Sequence, residues 1–317
     1  MNQQVLLIGA TGKLGGHFID ALLAGGHDVT ALVRNAGGNA PGRRARLESL
    51  RARGVILVEG DLNDVASLER ATRTADAVVS CVDHRPDNLK AQVNLAGAIS
   101  GAYRVRRVMP SQFGIDSRLY GPLRVGHGDI KRQLQTVFLE AGVPVTFVHN
   151  NGMARDWVLS LGQLGLERPP AEAVEIYGTG EVAFNTVAAS DIARYAVRAL
   201  FDPSAGNRHV LIAPPDNRLT QNQLVALWEA MAGVSLRREM VSAEALDARI
   251  DALAEDVAAR PRLAMAQLVR AAWIDGLGDG RRLPDVPELT SRYPDLSYIR
   301  TSEYLARYAN AQSEMSL

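Results

Sequence analysis

The first half of the chain alternates between short apolar runs and amphipathic stretches. The apolar runs include QVLLIGA (4–10), DVTALV (28–33) and VPVTFVHN (143–150), and stretches with helical periodicity such as RRARLESLRAR (43–53) separate them. Nearly continuous apolar strands indicate a sheet buried on both faces, and intervening helices indicate parallel strands. The pattern predicts an α/β fold with a doubly wound parallel sheet of six strands.

A glycine-rich segment, LLIGATGKLGG (6–16), joins the first strand to the first helix. Gly9 permits a tight turn, Gly12 lets a pyrophosphate approach the backbone, and Gly15 allows the helix to pack closely on the strand. The helix N-terminus attracts the phosphates. In this context the segment predicts a dinucleotide site, and its other expected contacts are Thr11, Lys13 and Leu14.

The residue at the end of the second strand distinguishes NAD from NADP. An acid there would bind a ribose 2′-hydroxyl, whereas an arginine binds a 2′-phosphate. The chain has Arg34 and no acid, and Arg43 adds a second cation at the start of the next helix. We therefore expect NADP(H), unless Arg34 is an ordinary exposed arginine. Asp61, after the third strand, either contacts the adenine or caps the following helix.

The regular alternation ends near residue 155. The segment 168–181 is turn-rich, whereas 191–202 and 219–233 are helical, with Thr220 as the expected cap of the latter helix. We predict a Rossmann domain for NADP over 1–155, with 183–200 packing back onto it. Residues 156–317 would form a smaller α/β region that mainly binds substrate.

The amino-acid composition argues against several classes of function for this chain. Lys plus Arg equals Asp plus Glu, at 35 each, so the basic excess typical of nucleic-acid binders is absent. The single cysteine, Cys81, excludes an internal disulfide and a cysteine-rich metal site, and no other metal-ligand spacing occurs. No apolar run reaches the ~20 residues of a membrane span, and no leader precedes the first strand. We expect a cytoplasmic protein without a metal, and we consider a homodimer.

Motifs along nearly the whole chain together resemble one family. They include GATGKLGG, GVILVEGDLNDVASLERA, RVMPSQFGID, KRQLQTVFLEAGVPVTFV and YPDLSYIRTSEYL. They resemble the isoflavone reductase-like branch of the NmrA-type atypical short-chain dehydrogenases. That branch includes pinoresinol–lariciresinol and phenylcoumaran benzylic ether reductases. The resemblance implies NADPH as the cofactor and an aromatic substrate.

The resemblance also assigns residues. The family's catalytic lysine falls on Lys131, its glutamine after the fourth strand on Gln92, and the asparagine after its sixth strand on Asn151. Further expected cofactor contacts are Leu62, Cys81, Val82, Ser111 and Phe113, and the expected substrate pocket includes His84, Gly114, Met153 and Trp157. The chain departs from the family at Asp83, at Gln112 (for Glu), and at Gly152 and Met153 (for Cys and Phe).

The segment HGDIK (127–131) carries the candidate acid–base chemistry. A free lysine amine has a pKa near 10.4, but burial and a cationic nicotinamide would lower it toward ~7–8, where the amine can exchange a proton. His127 precedes Lys131 by four residues and would share its face if the turn is helical. Gly126 and Gly128 argue against a helix there, so His127 is either a second catalytic residue or a loop residue. Asp129 is the expected N-cap.

These observations predict an NADPH-dependent reductase that transfers hydride to a phenylpropanoid-type substrate. The substrate would be a benzylic ether or a conjugated enone, such as a lignan or an isoflavonoid, with Lys131 as general acid and base. Two alternatives stay open. The chain could be a non-catalytic NADP(H)-sensing regulator of the NmrA type, or a reductase of quinones or simple enones. Tyr120, Met153, Trp157 and Phe184 would either shape the apolar pocket or pack in the core.

Overall fold

The apolar runs of the first half form a parallel sheet in this computed structural model, which describes residues 2–35, 41–120 and 126–315. Numbered along the chain, the strands of this sheet are β1 (Gln4–Ile8), β2 (Asp28–Val33), β3 (Ile56–Glu59), β4 (Ala77–Ser80) and β5 (Arg107–Met109). Their spatial order is β3-β2-β1-β4-β5, and every pairing is parallel. β6 (Thr146–His149) pairs with β10 (Arg208–Leu211), and a parallel bridge joins Val108 to Val145 just before β6.

Helices separate the strands of this sheet and cover it. They are α1 (Gly15–Ala24), α2 (Pro41–Ala52), α3 (Val65–Thr72), α4 (Pro86–Lys90), α5 (Gln92–Ser100), α6 (Gly128–Glu140) and α8 (Ala189–Leu200). Leu6 and Leu7 point to opposite faces of β1, and both are fully buried. Leu6 belongs to a core cluster that also contains Leu134 and Phe138 of α6. The predicted α/β fold with a doubly wound parallel sheet is confirmed, but the sheet has five strands instead of six, because β6 pairs with β10 and is joined to β5 by the isolated Val108–Val145 bridge.

The rest of the chain is mixed in structure. Its strands are β7 (Gly152–Met153), β8 (Ala173–Tyr177), β9 (Ala183–Val187), β11 (Arg218–Thr220) and β12 (Arg237–Val241). One sheet has the order β11-β9-β7, and β12 pairs in parallel with β8. The helices are α7 (Ala154–Trp157), α9 (Gln221–Ala232), α10 (Ala243–Ala254), α11 (Arg260–Val269), α12 (Leu289–Arg292) and α13 (Thr301–Met315), with a π-helix at Arg270–Ile274. Short 3-10 helices occur at Ser117–Leu119, Pro203–Ala205, Pro215–Asn217, Val257–Ala259 and Gly280–Arg282.

The chain divides into two compact units, each built from three segments. Unit 1 comprises Met1–Phe113, His127–Val148 and Ile192–Val210, and unit 2 comprises Gly114–Gly126, His149–Asp191 and Leu211–Leu317. Unit 1 contains the parallel sheet. In the part of the chain that the structure describes, no helix is both long enough and apolar enough to cross a bilayer. The assignment of cofactor binding to 1–155 and substrate binding to 156–317 stays a prediction.

Two local predictions were wrong. The turn-rich segment 168–181 contains β8, whose Val174 and Ile176 are buried in a core cluster that no local pattern reveals. Between β4 and β5 the helical stretch is divided at Ala91 into α4 and α5. Asp129 is not an N-cap, because α6 already begins at Gly128 and His127 occupies the cap position. The cap at Thr220 is confirmed, since Thr220 and Gln223 form a reciprocal capping box.

Candidate active site

The backbone of the glycine loop between β1 and α1 is packed so closely that a side chain would not fit at Gly9 or Gly15. Gly9 has a φ of +87°, and a Cβ on it would lie 2.8 Å from the carbonyl oxygen of Cys81. The Gly12 N–H donates to the Gly9 carbonyl at 2.8 Å. A Cβ on Gly15, the first residue of α1, would lie 2.2 Å from the same carbonyl oxygen. Gly12 and Lys13 are exposed in front of the helix. This geometry fits a pyrophosphate at the N-terminus of α1.

Two arginines meet at the carboxyl end of β2. The Arg43 guanidinium, in the first turn of α2, donates to the backbone carbonyl of Arg34. The Arg34 side chain is 68% exposed, and its Nε lies 3.7 Å from a carboxylate oxygen of Asp61. Residues 36–40, between them in sequence, lie outside the described residues. The exposed Arg34 guanidinium and the half-buried Arg43 guanidinium, which contacts the Arg34 backbone, fit a ribose 2′-phosphate.

Asp61 does not cap the helix that follows β3. The N-cap of α3 is Asp64, whose carboxylate accepts from the Ser67 N–H at 3.1 Å. Asp61 instead accepts from the Asn63 N–H at 2.8 Å. The capping alternative for Asp61 is therefore wrong, and the adenine contact stays a prediction. The neighbouring Leu62 offers its carbonyl to the Asn94 side chain at 2.9 Å.

The expected cofactor contacts after β4 and β5 are joined by hydrogen bonds. The Ser111 hydroxyl donates to the Val82 carbonyl at 2.7 Å, and the Ser111 N–H donates to the Gln92 side-chain oxygen at 3.0 Å. Gln92 is fully buried, and its Nε2 has no hydrogen-bond partner among the described residues. An unsatisfied buried donor costs about 1–3 kcal/mol, so Gln92 fits a bound group with an acceptor. Burial raises the pKa of the Cys81 thiol to about 12, so Cys81 is no nucleophile.

Lys131 is buried, with only 4% of its surface exposed, on the first turns of α6. Its Nζ donates to the carbonyl oxygen of Phe113 at 2.7 Å. The Phe113 ring packs against Phe18 of α1, with the ring centroids 5.6 Å apart. The amine is thus held at the segment that follows β5. This placement is compatible with the predicted acid–base role, which stays a prediction.

Two buried glutamines, Gln112 and Gln135, form a hydrogen-bonded chain that ends on the Lys131 backbone carbonyl. No sequence pattern had indicated this role. The Gln112 side-chain N–H donates to the Lys131 carbonyl at 3.1 Å, and its oxygen accepts from Gln135 at 3.1 Å. A glutamate at 112, as in the family pattern, could only accept, so it could not make the bond to the Lys131 carbonyl. Gln135 lies four residues after Lys131 and therefore on the same face of α6. This spacing could have indicated from the sequence that Gln135 lies near Lys131.

His127 lies next to Lys131 and is buried rather than exposed in a loop. Only 6% of its surface is exposed, and its carbonyl accepts the Lys131 N–H at 3.0 Å. Its ring lies 5.5 Å from that of His84, centroid to centroid. Burial, then the nearby charge of Lys131, then His84 lower the pKa of His127 from 6.5 to about 3. The imidazole is therefore neutral at neutral pH.

In unit 2, the residues after β6 hold the Gly114 backbone. The backbone N–H groups of Asn150 and Asn151 donate to the Gly114 carbonyl at 3.1 and 3.0 Å. The Asn150 side-chain oxygen accepts from the Gly114 N–H at 2.9 Å. Asn151 has a φ of +54°, and its buried Nδ2 has no hydrogen-bond partner among the described residues. The Asn150 Nδ2 is likewise buried without a partner in the described part of the chain. Both amides therefore fit a bound acceptor group, and Asn150, which no sequence pattern indicated, also positions Gly114.

The aromatic residues of unit 2 pack as core. Trp157 lies 4.5 Å from Phe184 and 6.2 Å from Trp273, ring centroid to centroid. These rings belong to one buried cluster that also contains Tyr120. Core packing is therefore their observed role, and the pocket role of Trp157 and of Met153 stays a prediction. A Cβ on Gly152 would lie 2.5 Å from the Phe184 ring, so the glycine that replaces the family's cysteine leaves room for Phe184.

His149 and Asp116 form a buried pair in unit 2. The His149 Nε2 lies 3.5 Å from a carboxylate oxygen of Asp116. Burial alone would raise the pKa of Asp116, but His149 and the Arg118 guanidinium favour the anion and lower the pKa to about 2. His149 is fully buried, which fits a structural role in this pair.

Comparison with known proteins places the chain in one family. The model of the NmrA-like family matches residues 1–272. Pinoresinol reductase 1 of Arabidopsis thaliana is 33% identical over 316 residues, which cover 96% of each chain. The isoflavone reductase homolog IRL of Zea mays is 34% identical over 307 residues, which cover 96% of this chain and 98% of the relative.

A solved structure, AtPrR2 with NADP+ and (+)pinoresinol, superimposes with a TM-score of 0.89 at 32% identity. The superposition covers 97% of this chain and 99% of the chain in that structure. The resemblance stated from the motifs is confirmed on both sequence and structure. The chain belongs to the NmrA-like family, and its relatives there are pinoresinol and isoflavone-type reductases.

Proposed function

We propose that this protein is an NADPH-dependent reductase of phenylpropanoid-type substrates and that Lys131 is its general acid and base. The observation that carries the proposal is the buried Lys131 amine, held on the Phe113 carbonyl at 2.7 Å, in a unit that also carries a dinucleotide loop. The relatives that bind NADP+ and pinoresinol or are named as reductases support the same activity.

The residues of unit 1 would bind the cofactor in a definite way. The backbone of the glycine loop receives the pyrophosphate, and Arg34 with Arg43 receives the 2′-phosphate, which selects NADPH over NADH. The unpartnered amide of Gln92 donates to the bound cofactor. When bound, NADPH supplies the hydride. In unit 2, Asn150 and Asn151 each have a buried Nδ2 that finds no partner among the described residues.

Lys131 performs the proton chemistry. With a benzylic ether that carries a para-hydroxyl, Lys131 acts as the general base and takes the phenol proton, and the ether C–O bond breaks to give a quinone methide. Lys131 returns this proton to the released oxygen, and hydride addition to the quinone methide leaves a phenolate that takes up one proton from solvent. With an enone, the ammonium form protonates the enolate that hydride addition produces. In both cases the Phe113 carbonyl holds the Lys131 amine, and the Gln112 side chain holds the Lys131 backbone carbonyl.

The substrate class follows from the relatives and is narrowed by the chain's own residues. Gly152, where plant members carry a cysteine, and Gln112, in place of a glutamate, alter the surroundings of the candidate site. Because the relatives include pinoresinol reductases and a structure with NADP+ and (+)pinoresinol, we propose a pinoresinol-type lignan as the first substrate to test. A cytoplasmic location and a homodimer stay predictions.

The test measures NADPH consumption by the purified protein with (+)-pinoresinol, a phenylcoumaran, an isoflavone and a simple quinone. Lys131→Ala is expected to reduce turnover at least about a thousandfold while calorimetry still detects NADPH binding. The matched control is Lys90→Ala, an exposed lysine on α4.

Three results would contradict the proposal. Retained turnover in Lys131→Ala excludes the lysine as the acid and base. NADPH binding without turnover of any substrate favours the sensor, and turnover of the quinone alone favours a quinone reductase.

A further inference from the structure

We propose that His127 and His84 form a proton relay that connects the buried Lys131 amine to solvent. The relay rests on the proposed function, because Lys131 needs protons only if it acts as the acid and base. Its three members all belong to unit 1.

The three side chains lead from the interior to the surface in order. Lys131 and His127 are buried, whereas His84, in the turn between β4 and α4, is exposed. Lys131 and His127 are one helical turn apart, and the hydrogen bond from the Lys131 N–H to the His127 carbonyl, 3.0 Å long, shows that the turn is helical. Their side chains therefore leave the same face of α6.

The contact between the two imidazoles completes the path. Their ring centroids lie 5.5 Å apart with an interplanar angle of 45°. At this separation the ring nitrogens can exchange a proton directly or through one water molecule. The turn that presents His84 is fixed by Asp83, which accepts from the Arg85 N–H at 3.1 Å and from the Asn88 side chain at 2.7 Å.

The proposed reaction requires such a path. Reduction of a benzylic ether by hydride forms one C–H bond and breaks one C–O bond, and the released oxygen takes up one proton. The phenol proton that Lys131 takes first goes to this oxygen, so each turnover consumes one further proton from solvent, which Lys131 delivers to the phenolate that hydride addition leaves. Because Lys131 is buried, the amine must be recharged through neighbouring groups. His84 accepts a proton from water at one ring nitrogen and releases the other proton to His127, which does the same toward Lys131.

A neutral His127 suits this task. The neutral imidazole has one donor and one acceptor nitrogen, so it can accept a proton on one side while it releases one on the other. Because its pKa is about 3, His127 does not retain the proton and passes it on to the Lys131 amine. His84, which water reaches directly, exchanges protons with the buffer.

The first experiment measures the solvent exchange rate of the His127 ring N–H by NMR on histidine-labelled protein, with the resonance assigned through His127→Asn. His84→Gln is expected to slow this exchange about tenfold or more, and free imidazole is expected to restore it. The matched control is His27→Gln, whose ring stacks on Phe201 beside the amino end of β2. An unchanged exchange rate in His84→Gln, or a slow rate that imidazole does not restore, overturns the relay.

The second experiment measures turnover of (+)-pinoresinol in dilute buffer. His84→Gln is expected to lower kcat about five- to tenfold, and imidazole is expected to restore kcat. An unchanged kcat in dilute buffer contradicts the relay. Because the exchange measurement needs no substrate, a wild-type protein without turnover would refute the proposed function while the relay is still decided by NMR.

Discussion

Acid should destabilise this protein through His127, because the folded chain holds that imidazole neutral. Its pKa falls from 6.5 to about 3 on folding. Between these values the unfolded chain binds more protons than the folded chain, so the free energy of unfolding falls as the pH falls from 6.5 toward 3. The stability that depends on the neutral ring is fully present above pH 6.5.

The size of the effect follows from the shift. From pH 7.5 to pH 5.0 the single group removes about 2 kcal/mol of the free energy of unfolding, and the full shift corresponds to about 5 kcal/mol below pH 3. The variant His127→Gln cannot titrate, so its free energy of unfolding should fall by about 2 kcal/mol less than that of the wild type over the same interval.

The assay is urea unfolding, followed by circular dichroism, at pH 7.5 and pH 5.0 for both proteins. For each protein, the free energy of unfolding at pH 5.0 is subtracted from that at pH 7.5, and the two differences are compared. The contributions of the other titrating groups cancel because both proteins share them, and a loss of packing in the variant cancels because it is the same at both pH values. His17→Gln on α1 serves as a matched control and should behave as the wild type. An equal loss of stability in His127→Gln and in the wild type would refute the reasoning.

Three further changes probe the site and its supports. Gln112→Glu buries a carboxylate that cannot donate to the α6 carbonyl, so urea unfolding should show a loss of about 2–4 kcal/mol, whereas Gln133→Glu on the exposed face should be nearly neutral. Gly152→Cys forces a Cβ against the Phe184 ring and should lower stability by about 1–3 kcal/mol, and a thermal midpoint that does not change would contradict this clash. Arg34→Ala should weaken NADPH binding about 10- to 100-fold in calorimetry and leave NADH binding unchanged; an equal loss for both would argue against a 2′-phosphate site.

Local patterns were enough to predict the parallel sheet. Alternating strands and helices follow from short-range hydrophobic periodicity, and the glycine loop needs only the residues from Gly9 to Gly15. The cap at Thr220 is equally local, because its partner Gln223 is three residues away. Family motifs added Lys131 and Gln92 as candidate site residues. Each of these signals is contained within a few turns of chain.

The sequence by itself therefore determined the fold class, the glycine loop and the candidate lysine. Only the tertiary structure decided that β8 pairs with β12, about sixty residues later, and that Gln112 supports the Lys131 carbonyl. It also decided that the rings of His84 and His127 meet across 43 positions of sequence. Such contacts arise because burial and hydrogen bonding select partners by their distance in space, and separation along the chain does not encode that distance.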